Sequence, residues 1–173
     1  MANSIPPNLT ARPGEAIRVF RTADGSFAIG AGRIAVAGGD MRFVAGVVAD
    51  LGRIVHGAAG EAVLREGDAL GRKLIITKPV TPTEPRNAWV LPDDLAAATP
   101  AGIAIDHVGD GGSRRGTGAG SGSTLVYDPA DWPPHGGRGL PASADVLLLM
   151  LRQANRNAAG TSDPGKPDWG DGI

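Results

Sequence analysis

A chain of 173 residues, 42% hydrophobic and 20% charged, is long enough to bury one core and too short for two full domains. Seventeen Lys and Arg stand against 18 Asp and Glu, a formal net charge of −1, which leaves no electrostatic drive toward nucleic acid or an anionic membrane. With no cysteine, disulfides, thiolate zinc sites and cysteine nucleophiles are excluded, and a reducing compartment fits.

Residues 1–16 carry Pro6, Pro7 and Pro13 with no apolar period and read as an extended arm. The opening Met-Ala-Asn-Ser-Ile-Pro-Pro lacks a charged stretch followed by an apolar one, so no Sec-type signal is expected. Residues 16–22, 26–29 and 33–37 alternate around the Asp24-Gly25 turn and predict a small antiparallel meander. Asp40 then precedes Met41, Phe43, Val44, Val47, Val48, Leu51, Ile54 and Val55. That spacing predicts a capped helix closed by Gly57, with Arg42, Asp50 and Arg53 on its other face.

Residues 60–66 predict a shorter helical piece ending near Gly67, and 72–77 a strand stopped by Pro79, Pro82 and Pro85. Trp89 to Leu91 reads as extended, Asp93 as the cap of a turn through Ala98, and 103–105 as another strand. Seven glycines fall within the fourteen residues 109–122, a pattern that predicts a mobile loop, as does the Gly- and Asp-rich tail from Gly160. Ser123 to Tyr127 is a strand that Asp128-Pro129 terminates. Ser143 or Asp145 opens a last helix whose first turns, Val146 to Leu151, are apolar all round while residues 152–157 are polar, so it begins buried and ends in water. That apolar run is six residues where a bilayer span needs about 20.

Few motifs carry chemistry. Gly116, Gly118, Gly120 and Gly122 alternate, and neither phosphate-binding glycine frame fits them. Arg114-Arg115 reads as a solvated pair, and Ser121 lacks the strand and elbow of a nucleophilic serine. His56, His107 and His135 are never one helical turn apart, so no local histidine metal site is expected. His56 suits the C-terminus of the first long helix, and His135 sits in a Pro/Gly turn. Asp106, His107 and Asp110 form the densest ionisable cluster. Its functional reading is a histidine base or ligand oriented by carboxylates; its structural reading is a polar loop.

Three segments resemble, in order, the zinc metallopeptidases that bacteria deliver as effectors through type III or type VI secretion. The first is Arg33-Ile-Ala-Val-Ala-Gly-Gly-Asp with the helix that follows it and Gly60-Glu-Ala-Val-Leu64. The second is the Gly/Ser tract Gly116-Thr-Gly-Ala-Gly-Ser-Gly-Ser running into Thr124-Leu-Val-Tyr-Asp-Pro129. The third, residues 141–160, occupies the place of the family's active-site helix. There the family carries H-E-x-x-H, two zinc-binding histidines one turn apart and a glutamate that activates water. This chain has Leu149-Met150-Leu151-Arg152-Gln153. Leucine has no donor atom, methionine is no base, and a glutamine amide is a poor substitute for imidazole. Asp163, Asp168 and Asp171 offer no clear third ligand.

The expectation is an α+β fold, a small antiparallel sheet against two main helices as a zincin-like remnant, with an arm over 1–16, one domain over 17–159 and a flexible tail over 160–173. The resemblance implies a pseudo-metallopeptidase with no catalytic residue, no metal and no cofactor. It would bind a protein, a host target or a cognate effector or adaptor, and reside in the bacterial cytoplasm before delivery. The alternatives are a hydrolase centred on Asp106, His107 and Asp110, and a structural or carrier component of a secretion apparatus.

Overall fold

The computed structural model describes residues 17–21, 27–29, 32–37, 40–79, 88–105, 114–137 and 139–163. The fold is α+β. Strands β1 (Ile17–Arg21), β2 (Phe27–Ile29) and β3 (Ile34–Ala37) lead into helices α1 (Met41–Val55) and α2 (Ala58–Leu70). Strands β4 (Leu74–Thr77) and β5 (Trp89–Pro92), the short helix α3 (Leu95–Ala98) and strands β6 (Ala104–Ile105), β7 (Arg114–Arg115) and β8 (Ser123–Val126) follow. A 3-10 turn (Pro129–Asp131) then precedes α4 (Ser143–Ala159).

One sheet has the order β2-β1-β3-β4-β8-β5, and β6 and β7 form a separate antiparallel pair. The antiparallel meander needs correction. β1 lies between β2 and β3, and β3, β4 and β8 run parallel, so the sheet is mixed. The two helices between β3 and β4 are the reason, because a crossover of that length returns the chain in the same direction. β5 then pairs antiparallel with β8 at the edge.

The register places Val19, Ile34, Leu74 and Ser123 in one row across the sheet and Val36, Ile76, Leu125 and Val90 in the next. All eight are buried. With the apolar faces of α1, α2 and α4, including Val47, Leu51, Leu64, Leu147 and Leu151, the seven apolar ones form a single core. Each such aliphatic side chain contributes about 1.5–3 kcal/mol on burial.

α1 matches its pattern closely. The Asp40 carboxylate accepts from the Phe43 N–H at 2.9 Å, and His56 follows as C-cap. That backbone hydrogen bond holds the Asp40 carboxyl below its ordinary range, with the nearby Lys78 and Arg42 charges adding to it. α2 runs past the expected stop at Gly67 to Gly71, which takes the left-handed conformation (φ 66°) that favours glycine at a helix end. Gly67 lies inside the helix because α2 packs close to its neighbours there: a Cβ would strike the Arg33 guanidinium.

α4 begins at Ser143 as expected, but Ala142 is its cap and the Ser143 side chain is used elsewhere. Two further expectations fail at its end. The polar half of α4 does not end in water: Gln153, Asn155 and Asn157 are buried. Asn155 Nδ2 donates to the Val63 carbonyl (2.8 Å) and to Glu66 (2.9 Å), and Asn157 Nδ2 donates to Ser123 Oγ (2.9 Å). Buried amides are stable when matched in this way. Nor does a free tail begin at Gly160. Gly160 is the left-handed C-cap, and Ser162 is buried, its N–H donating to the Ala98 carbonyl at 3.0 Å.

Candidate functional site

α4 gives the three positions of interest three different fates. Leu149 is 40% exposed, Met150 is 3% exposed within the core, and Gln153 is buried at 9%. Gln153 Nε2 donates to Asn157 Oδ1 and Ser162 Oγ, both at 3.3 Å, while its Oε1 has no partner among the described residues. Ser162 Oγ in turn hydrogen-bonds Asn157 Oδ1. Position 153 therefore sits in a small buried amide and hydroxyl cluster that joins α4 to the segment after it. The site supplies an aliphatic surface, a thioether packed in the core and one amide, none of them a donor that zinc favours.

The glycine tract is not a mobile loop over its described part, 114–122. It is stitched to two helix C-termini. Thr117, Gly118 and Gly120 donate their N–H groups to the carbonyls of Ala96, Thr99 and Ala97 at 2.8–2.9 Å, and Ser121 donates to Asn157 O at 2.9 Å. The Ala96 and Ala97 carbonyls are ones that a helix end leaves without an intrahelical partner, while Asn157 O also accepts from the Gly160 N–H at 3.2 Å. Such contact requires bare backbone. A Cβ on Gly116 would collide with the Pro100 carbonyl, and one on Gly120, which also has φ 77°, with the Ala158 carbonyl. Ser121 Oγ accepts from the Asp94 N–H at 2.8 Å and donates to the Gly122 carbonyl at 2.9 Å, a structural role.

Asp106, His107 and Asp110 lie outside the described residues, as do Asp168 and Asp171. His56, the C-cap of α1, and His135, in a turn before α4, are both exposed, and Arg114 and Arg115 are exposed on β7. Among the described residues, no group of three or more His, Asp or Glu is placed to hold a metal ion.

The cluster that the sequence reading missed centres on Asp50. Assigned to the outer face of α1, it is 1% exposed. Its Oδ2 accepts from the Tyr127 hydroxyl; its Oδ1 accepts from Ser143 Oγ at 2.9 Å and Arg53 Nη1 at 2.5 Å. Tyr127 OH also lies 3.1 Å from the Ser143 carbonyl. Burial, followed by the Asp50 carboxylate beside it, pushes the Tyr127 hydroxyl far above its ordinary range. The signal was present in the spacing. Asp50 stands three residues after Val47 and four before Ile54, on the stripe that faces the core.

Asp50 and Ser143 also border a cavity of about 530 Å³ between α1 and the segment 129–134. Lys78 lines it, donating to Asp128 at 2.9 Å; that hydrogen bond and the Asp128 charge raise its ammonium above its ordinary range. Asp128 also caps the 3-10 turn through the Ala130 N–H at 3.0 Å. The Asp-Pro pair after β8 thus both ends the strand and fixes one cavity wall.

Comparison with family models, with curated proteins and with solved structures finds no match to this chain. Among the described residues, no single helix is long and apolar enough to cross a membrane.

Proposed function

We propose that this chain is a catalytically degenerate, metallopeptidase-like effector module, a zincin-like remnant that acts by binding another protein, either a host target or a cognate effector or adaptor. The observation that carries the reading is the fate of residues 149, 150 and 153. The Gly/Ser tract, the strand ending in Asp-Pro and the long helix occur in the order the resemblance implies, with the tract packed against the C-terminal end of that helix. On the helix itself, the place of the water-activating glutamate is taken by a methionine in the core, and the place of the second histidine by an amide tied to Asn157 and Ser162. A helix reassigned in this way stabilises a fold; it has no base and no ligand pair to offer a reaction.

The test is capture from producer and target-cell lysates, in chelator and in added zinc, followed by reconstitution with the purified captured protein. A stoichiometric complex of the same affinity in both conditions, with the partner intact, is expected. Cleavage of the partner in zinc and not in chelator would overturn the reading.

A further inference from the structure

The cavity beside α1 lies at one end of the sheet. Strands β3, β4 and β8 run parallel, and residues that follow their carboxyl ends, Asp40, Lys78 and Asp128, all line it. Asp40 stands three residues after β3, Lys78 directly after β4 and Asp128 two after β8. Parallel sheets hold ligands at this end, because each strand there delivers side chains to one place.

The Pro129 ring packs on Gly46, where a Cβ would lie 3.0 Å from it, and this contact falls on α1 between Arg42 and Arg53. Beyond it, Asp50 is matched by Tyr127, Ser143 and Arg53. The strand end differs. Its four charges are neighbours of alternating sign: Asp128 accepts from Lys78 at 2.9 Å, the Lys78 and Asp40 charges act on one another, and the Arg42 charge acts on Asp40. Asp131 also acts on Lys78 but does not line the cavity. Asp40 and Arg42 are exposed, the Lys78 side chain is 43% exposed, and Arg42 makes no hydrogen bond or ion pair with the described residues.

Ligands of a single sign fit this end badly. A bare anion drawn to Lys78 and Arg42 meets Asp40 and Asp128, and a bare cation drawn to the carboxylates meets the ammonium and guanidinium. A molecule that carries both charges close together finds a partner for each. We propose that the strand end of the cavity binds a small zwitterion, an α-amino acid, with its carboxylate on Arg42 and Lys78, its ammonium on Asp40 and an apolar side chain over Pro129 and Ala130. The site uses no residue of α4 and is independent of the protein-binding reading.

The test is isothermal titration calorimetry of the full chain with L-leucine, with isocaproate, which lacks the ammonium, and with L-leucinamide, which lacks the carboxylate. Saturable one-to-one binding of L-leucine is expected, with each single-charge analogue at least about tenfold weaker. Arg42→Gln should weaken L-leucine binding at least about tenfold. Asp40→Asn should do the same, and because asparagine caps a helix as well as aspartate does, the circular dichroism spectrum and melting temperature should hold. Arg65→Gln, exposed on α2 and outside the cavity, should leave binding unchanged. No saturation by L-leucine up to about 10 mM, equal affinity for either analogue, or equal affinity of wild type and Asp40→Asn would overturn the proposal.

Discussion

Asp50→Ala tests the packing of α1 against β8 and α4 at one atom group. The substitution removes the acceptor of three donors. Arg53, partly exposed, returns to water at little cost. The Tyr127 hydroxyl retains only the Ser143 carbonyl at 3.1 Å, and the Ser143 hydroxyl loses its carboxylate partner. Two buried hydroxyls weakened or orphaned cost about 1–3 kcal/mol each, partly offset because a desolvated carboxylate is no longer buried. The net expectation is about 2–4 kcal/mol, a large share of the 5–15 kcal/mol typical of a domain. Urea unfolding followed by circular dichroism measures it, with Tyr127→Phe completing a double-mutant cycle. Tyr127→Phe should cost markedly less in the Asp50→Ala background than in wild type, because its main partner has already gone. Additive losses, or a loss below about 0.5 kcal/mol for Asp50→Ala, would refute the reasoning.

Gly120→Ala should destabilise by about 2 kcal/mol or more, since it strains a left-handed residue and drives a Cβ into the Ala158 carbonyl, whereas Gly71→Ala, with φ 66° and open space around it, should cost about 1 kcal/mol; the difference in urea midpoint checks both. Tyr127 is the sole tyrosine, so tyrosinate absorbance reports it alone. Because its folded-state pKa is raised above 10.0, the folded protein keeps a proton that the unfolded chain releases, and stability falls as pH rises past about 10. Tyrosinate should therefore appear only together with loss of the circular dichroism signal; a reversible titration near pH 10 in the folded state would contradict the burial. Met150→Glu should cost several kcal/mol by placing a charge in the core, while Leu149→His, on the exposed side of α4, should change stability by less than about 1 kcal/mol; equal melting temperatures for the two variants would show the helix to be rotated.

What the sequence made legible follows the strength of its local signals. α1 was readable because a capping aspartate and a sustained helical period agree, and β8 because Asp-Pro ends it sharply. The glycine tract misled because composition does not distinguish a chain that moves from a chain whose backbone must touch other backbone. Gly116 and Gly120 belong to the second kind, and only the positions of Pro100 and Ala158 reveal it. The polar end of α4 misled for a related reason. Asn155 and Asn157 look solvated until Val63, Glu66 and Ser123, each more than 30 positions away in the chain, supply their partners. Strand order is likewise a long-range choice, and the alternation in 16–37 fits β1 at the centre as well as β2. Asp50 is different: its place on the apolar stripe was visible, and ordinary solvation of aspartate argued against it.

The proposal that α4 stands in the place of an active-site helix without its chemistry is probed by the zinc content of the purified full chain after equilibration with excess zinc and removal of the loosely bound metal. Far less than one zinc per chain is expected, because residues 149, 150 and 153 offer an alkyl group, a core thioether and an amide engaged with Asn157 and Ser162. One tightly held zinc per chain, lost when Gln153 is replaced by Ala, would contradict it.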